Sequence, residues 1–486
     1  MDSPNKKAFD CDLVFQGAWV IDGTGVLGFT EDVAIQGDKI VHIGNCSQWQ
    51  AKQVIPLQGL VLAPGFIDTH THDDWSLVQT PSMPFKVSQG VTTVIAGNCG
   101  ISAAPFKPAP NLPDPFHLLP HLAEQCYASV ADYRQAVTEA QPAVNVRLLV
   151  GHSSLRALVM GSDLQRSAST TEIADMASLL DQALKQGAAG LSSGLDYTAA
   201  LDAASSELVA LAKVVARYPN KVYTTHVRDE GDEVIAAVQE ALDTAKSASV
   251  PLVLSHHKCA GQHNFGKSQQ TLEMVDAARC DHEVALDVYP YTASSTSLSE
   301  RFIAAAKDVL VTWSQPHPES SGQMLDDIAL GWGISRELAC QRLSPAGAIY
   351  FDMDEKDLQR ILKHPAAMIG SDGLPGTPLP HPRLWGTFPR VLGHYVRELE
   401  LLSLVEAVHK MTGLSASKFG LTDRGTINVG KQADLVVFDA NKIKDMASFE
   451  NPELPAEGIH HVLVNGQFVM HNGQQTINRP GQFLSK

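Results

Sequence analysis

The chain has 486 residues, 44% apolar and 19% charged, a globular composition with ample length for a sizeable core. Acidic residues outnumber basic ones 53 to 37, a net charge of −16, which argues against nucleic acid and anionic membrane surfaces, since both select basic patches. No stretch approaches the roughly 20 apolar residues of a spanning helix.

The opening MDSPNKKAFDCDLVF has two lysines but no apolar run of signal-peptide length after them, so the sequence reads as soluble and cytoplasmic. Residues 9 to about 60 are short β-type runs with turn residues about every ten positions, as in an antiparallel sheet. The middle of the chain then alternates apolar runs with helical stretches. The runs are 65–72, 92–97, 146–152, 188–194, 222–227, 251–257, 284–292 and 366–373. Strands alternating with helices imply parallel βα units, and eight of them predict a closed (β/α)8 TIM barrel. The Pro-rich stretch 105–120 reads as an elaborated loop after the second strand. A long interval after run seven is too much for one connecting helix and predicts an inserted lid subdomain at about 293–350. From about 424 the β-type pattern returns. The expected organisation is a small β domain from 1–60 plus 421–486, and a barrel over 61–420.

Seven cysteines without tight spacing make no disulfide framework; Cys11, Cys46, Cys126, Cys259, Cys280 and Cys340 read as reduced thiols. Most of the strand ends carry polar groups: His70 and His72, Cys99, His152, Ser192, His226, His256, Tyr289 and Asp372. In this barrel class the C-terminal strand ends build the active site. His70 and His72 flank Thr71 on a strand, so both imidazoles point to one side. Taken alone, the pair is equally compatible with a shared metal ion and with two hydrogen-bonded core histidines. His226 and His256, each alone, are more often satisfied structural histidines. Together with Cys99 they make three ligands of zinc type with a fourth position open. Asp372 suits a turn or helix cap, or proton transfer in a hydrolysis. Lys258 and Arg383 are candidate carboxylate readers, although solvated surface charge is the commoner fate of such residues.

The segments VIDGTG, VLAPGFIDTHTH and GTINVGKQADLVVFD resemble the amidohydrolase superfamily. GVTTVIAGNCGIS, TTHVRDEG, SHHKCAG and GSDGLP with HPRLWGTFPR are more closely similar to the N-acyl-D-amino-acid deacylases (D-aminoacylases). The resemblance covers nearly the whole chain. It implies a TIM barrel with a small β-sandwich from both chain ends. It implies one tightly bound Zn2+ on Cys99, His226 and His256, and a second, weaker site on His70, His72 and Asp372, with Asp372 as general acid/base. Lys258, Tyr289, Ser295 and Arg383 lie where the family contacts the substrate carboxylate, and Tyr197, Tyr350 and Met353 where it forms the side-chain pocket. One departure is LDYTAALDAASSEL, which lacks the Pro-Gly that many relatives carry shortly after the tyrosine.

The implied reaction is hydrolysis of N-acyl-D-amino acids, with neutral or apolar D-residues favoured, by a monomer or a homodimer. The alternatives are an N-acyl-D-glutamate or D-aspartate deacylase, a cyclic-amide hydrolase, and a catalytically dead scaffold. A cyclic-amide hydrolase is expected to show a bridging lysine on a middle strand, and AAGLSSGL has none. A scaffold is expected to lose ligands, and all six positions are filled.

Overall fold

In the computed structural model, which describes residues 10–107, 112–118 and 126–485, eight short strands pair in parallel in sequence order. They are β1 (Phe66–Asp68), β2 (Val91–Ala96), β3 (Asn145–Gly151), β4 (Gly190–Gly194), β5 (Val222–His226), β6 (Leu252–Leu254), β7 (Val284–Val288) and β8 (Ala367–Ile369). Six of the eight fall within the runs expected from the sequence, and β2 and β3 each begin one residue earlier. The ring closes between β8 and β1: the Thr69 amide and hydroxyl both donate to the Ile369 carbonyl, at 3.4 and 3.0 Å. Ile67, Ile95, Leu149, Val222, Val253, Ala285 and Met368 pack with Ala189, just before β4, in a filled interior layer. The barrel is therefore a packed core and carries its polar groups at one end.

Helices cross between strands, for example Thr170–Lys185, Ser205–Val215, Val234–Ala248 and Ser268–Arg279. The first opens on a capping box in which the Ser169 hydroxyl accepts from the Glu172 amide.

Both chain ends feed one nine-stranded sheet. Its centre joins Val61–Pro64 to Leu435–Phe438 in antiparallel register. Phe15, Val33 and Ile35 from the early strands pack with Leu435, Val437 and Leu463 from the late ones. The antiparallel expectation for residues 9–60 needs correcting. Cys11–Val20 pairs antiparallel with Phe29–Gln36 but parallel with Ala51–Pro56 and Val61–Pro64, which makes the sheet mixed.

After β7 a three-stranded antiparallel sheet interrupts the barrel: Ser294–Ser297 and Asp308–Ser314 flank Ala346–Phe351. With helices Leu325–Trp332 and Arg336–Leu343 it has its own apolar cluster, including Val309, Leu325, Cys340 and Tyr350. Of the Pro-rich loop, 108–111 and 119–120 lie outside the described residues. Its described part bonds Asp114 to the Ser297 hydroxyl of the inserted sheet.

Candidate active site

The polar groups of the barrel converge at the C-terminal ends of its strands. Beyond β1, His70 and His72 face inward while the Thr71 amide and hydroxyl bond outward to the Ile95 carbonyl, at 3.1 and 3.0 Å. Cys99 sits just past β2 in a loop held by Asp74, whose two carboxylate oxygens accept from the Gly97 and Ala103 amides at 3.0 Å each. Gly100 follows at φ 78°, so close to β4 that a Cβ there would lie 2.8 Å from the Gly194 nitrogen. His226 ends β5, His256 lies just past β6, and Asp372 lies three residues past β8. Cys99, His256 and Asp372 all have positive φ, at 51°, 35° and 50°. Such positions cost roughly 1–3 kcal/mol each and persist where surrounding structure imposes them.

One ligand atom from each of His70, Cys99, His256 and Asp372 lies within 4.8 Å of the others, and all four residues are buried. The Cys99 Sγ is 3.2 Å from His70 Nε2 and 3.3 Å from His256 Nε2. The opposite ring nitrogens face carboxylates: His70 Nδ1 is 3.2 Å from Asp287, and His256 Nδ1 is 2.9 Å from Glu230. These contacts orient both rings with Nε2 toward the thiol. Burial pushes the Cys99 thiol up, but the His70 and His256 imidazoles outweigh it and hold the thiol well below its ordinary value. Burial also pushes Asp372 up, and the Arg383 guanidinium outweighs that, holding its carboxyl well below the usual carboxylate range. Both shifts favour the ionised forms, those in which a cysteine ligates metal and a carboxylate accepts a proton.

His226 stacks edge-on against His256 at 4.5 Å between ring centroids, and Tyr197 covers it at 4.9 Å. Neither of its ring nitrogens has a hydrogen-bond partner, although the residue is buried. Its Nε2 lies 3.8 Å from Asp196 and 3.7 Å from Glu230, beyond hydrogen-bond distance, and a buried imidazole without a hydrogen bond beside a cysteine and a second imidazole fits a metal ion. His72 reaches the same group through Asp372 Oδ1, at 3.4 Å.

A cavity of about 530 Å³ opens on this cluster, lined by His226, His256, Asp372, Lys258, Tyr289, Tyr197 and Ser295. Arg383 is buried behind Asp372: its Nη2 donates to Asp372 Oδ2 at 2.9 Å and to the Ser295 carbonyl at 3.2 Å. Its Nε and Nη1 have no partner. Arg383 and Lys258 both lie over the Tyr289 ring, at 4.5 and 5.6 Å from its centroid. Neither is the solvated surface charge that its type suggested.

Two expected pocket residues do not line the cavity. Tyr350 is wholly buried in the core of the inserted sheet, where its hydroxyl donates to the Ser297 carbonyl at 2.7 Å and accepts from the Ser299 amide at 3.2 Å. Met353 takes the Tyr289 hydroxyl on its sulfur at 3.6 Å, and its neighbour Asp352 lines the cavity instead. Of the other polar strand ends, His152 turns away to Glu207 at 2.8 Å, and the Ser192 hydroxyl accepts from the Gly100 amide at 3.1 Å.

Sequence reasoning missed Glu230, Asp287, Asp196 and Arg301. Glu230 accepts from Lys258 at 2.6 Å while facing His256. Asp287 carried a signal, a carboxylate inside the apolar strand VALDV, where a buried charge requires a partner. Arg301, from the inserted segment, bridges Asp196 and Asp229 across the cavity wall.

A parallel barrel whose strand ends gather histidines, a cysteine and an aspartate around a cavity is the architecture of a metal-dependent hydrolase. Residues 53–470 match the amidohydrolase family, and the chain belongs to it. It is 46% identical to a D-aminoacylase from Alcaligenes xylosoxydans xylosoxydans, across 98% of each chain. A solved D-aminoacylase with a binuclear metal centre, activated by one metal and attenuated by a second, overlays 99% of this chain and 100% of its own. The identity is 47% and the TM-score 0.95. The N-acyl-D-glutamate deacylase of Bordetella bronchiseptica, solved with zinc and a phosphonate mimic of the tetrahedral intermediate, overlays 98% of this chain and 100% of its own. The identity is 44% and the TM-score 0.94. These relatives place the chain in the N-acyl-D-amino-acid deacylase branch of the family.

Proposed function

We propose that this protein is a zinc-dependent hydrolase that converts N-acyl-D-amino acids to a carboxylate and a free D-amino acid. The observation that carries this reading is Arg383. It is buried against Asp372 and leaves two donor nitrogens, Nε and Nη1, without a hydrogen-bond partner. A carboxylate reader therefore touches the general base, and an N-acyl amino acid carries its α-carboxylate only two bonds from the scissile nitrogen.

Cys99, His226 and His256 would hold the tight zinc, and His70, His72 and Asp372 a second, weaker one. Zinc held there would supply Lewis acidity and would acidify water toward a pKa of about 7. Asp372 takes the proton of the attacking water on Oδ1, the oxygen facing His70 and His72, while Arg383 holds Oδ2. It then delivers that proton to the departing amine nitrogen. Arg383 and Lys258, spaced over Tyr289, orient the α-carboxylate, with bidentate geometry available from the guanidinium. With carboxylate, acyl group and Cα hydrogen fixed, the fourth substituent has one allowed direction, which selects the D-isomer.

Neutral side chains suit this cavity. Lys258 is already paired with Glu230, Arg301 with Asp196 and Asp229, and Lys307 lies 3.8 Å from Asp308, so among the described residues each lysine and arginine lining the cavity already faces a carboxylate. Arg301 also favours a second reading: its side chain is 43% exposed at the cavity wall, and release from its aspartates would let it bind an acidic side chain. Among the described residues no helix is long and apolar enough to cross a membrane. All seven cysteines are free, which supports the cytoplasmic reading for a monomer or homodimer.

The test is hydrolysis of N-acetyl-D-methionine, N-acetyl-L-methionine and N-acetyl-D-glutamate by zinc-loaded protein, with chelator controls. Chelator-sensitive turnover of D-methionine, with the L-form inert, is the expected result. Preference for D-glutamate would hand the side chain to Arg301. No turnover of any substrate with zinc bound would remove the proposal.

A further inference from the structure

Helix Pro84–Val87 places Lys86 in the barrel wall with no exposed surface. An ammonium group has three N–H donors, and Lys86 Nζ has three oxygen neighbours. They are Asp68 Oδ2 at 2.7 Å, Ser371 Oγ at 2.9 Å and Asp73 Oδ2 at 3.3 Å. Two belong to the segment that carries His70 and His72, and the third is the residue before Asp372. Lys86 is wholly buried, and its Nζ is occupied by these three oxygens.

The contacts continue from these acceptors. Asp68 Oδ1 accepts from the Ser371 amide at 2.8 Å and the His70 amide at 3.3 Å. The Ser371 hydroxyl accepts from the Gly373 amide at 3.2 Å and lies 3.4 Å from the His70 carbonyl. That carbonyl also accepts from the Asp372 amide at 2.8 Å. Asp372, between Ser371 and Gly373, holds φ at 50°, a conformation that a non-glycine residue keeps only under external constraint.

We infer that Lys86 is a positioning residue for the reaction: through Ser371 it ties the end of β8 to the end of β1 and holds Asp372 in its proton-transfer position. A purely structural ion pair needs only Asp68 and Asp73. The Ser371 hydroxyl contact reaches the segment of the base directly, and Asp68 reaches the same segment through the Ser371 amide. Without it Asp372 relaxes to negative φ and its carboxylate leaves His70, His72 and Arg383.

This inference rests on the deacylase reading, and two measurements separate their failures. Ser371→Ala removes the hydroxyl that accepts from Lys86, together with its contacts to the Gly373 amide and the His70 carbonyl, and leaves the Lys86–Asp68 pair intact. Lys86→Met removes the whole tie but strands two buried carboxylates, so it is interpreted only where it folds. In Ser371→Ala kcat should fall about 10- to 100-fold, with KM and zinc content unchanged. Its crystal structure should show Asp372 outside the left-handed region. Full kcat, or a loss matched by the loss of folded protein, overturns the inference. If the wild type hydrolyses no N-acyl-D-amino acid, the deacylase reading fails and the crystal structure alone judges Lys86. Asp372 still at positive φ would then overturn it, and a displaced Asp372 would support it.

Discussion

The end of β3 and the rim around Cys99 are built from the same materials, buried histidine, carboxylate and guanidinium, and they differ in what is left unbonded. Past β3, Arg156 is fully buried and places all its donors inside the protein. Nη1 donates to both oxygens of Glu207 at 2.7 and 2.8 Å, Nε to the Ala199 carbonyl at 3.0 Å, and Nη2 to the Leu164 and Arg166 carbonyls at 2.8 and 2.6 Å. His152 completes the cluster on Glu207. At the rim Arg383 is equally buried, yet two of its donors have no partner, and neither ring nitrogen of His226 has one. Three backbone positions there are left-handed. His152 Nδ1 also lacks a partner, so the difference lies in the guanidinium: with every donor filled it makes a brace, and with open donors beside left-handed backbone and a cavity it makes a site.

The largest effect should come at the rim. Asp372→Asn is expected to lower kcat about 10³-fold or more while the Cys99 site keeps its zinc, read by steady-state kinetics and metal analysis. Cys99→Ala should lose that zinc; a fully occupied variant would return Cys99 to the ordinary thiols. The brace should respond in the opposite currency. Arg156→Met leaves Glu207 buried without its main cation and should cost about 3–5 kcal/mol in urea unfolding. Its kcat/KM per folded molecule should stay at the wild-type value, and a selective loss of activity would break the contrast. Smaller again, Arg383→Lys keeps charge but not the fork, and should raise KM about 10- to 100-fold with little change in stability.

The smallest effect is in pH. Burial pushes the Glu207 carboxyl up, but the His152 and Arg156 bonds outweigh it and hold it at about 2, against 4.5 when free. A depressed carboxyl stabilises the fold fully above its free value, and that contribution declines as pH falls toward 2. Between pH 5 and 3.5 the loss should be about 1 kcal/mol. Urea midpoints at the two pH values should fall further in wild type than in Glu207→Gln, and equal falls would remove the assignment.

The barrel was legible because each strand is a short apolar run bounded by turn residues and followed by a helical period. Both histidines of the His-x-His segment point inward because strand side chains alternate. Cys99 carries no period of its own, and its place just after the second strand, beside histidines at other strand ends, marked it as a zinc-type ligand; the resemblance added the ligand set. Tyr350 was read into the pocket, but it lies on the central strand of the inserted sheet, and its ring packs edge-on against Phe302 in that sheet's core. Glu230 and Lys86 were invisible for a different reason. Their importance lies in partners 28 and 285 positions away, Lys258 and Ser371, and local pattern does not encode such distances.

The seam between Val61–Pro64 and Leu435–Phe438 has a consequence for biosynthesis. At about 5–20 residues per second, roughly 20 to 70 seconds of synthesis separate the two strands. Throughout that interval the earlier strand offers an open hydrogen-bonding edge in the nascent chain, a known template for unwanted pairing. The sheet that joins both ends of the protein is the last part able to assemble, and the ribosome-bound chain must keep that edge covered until its partner emerges.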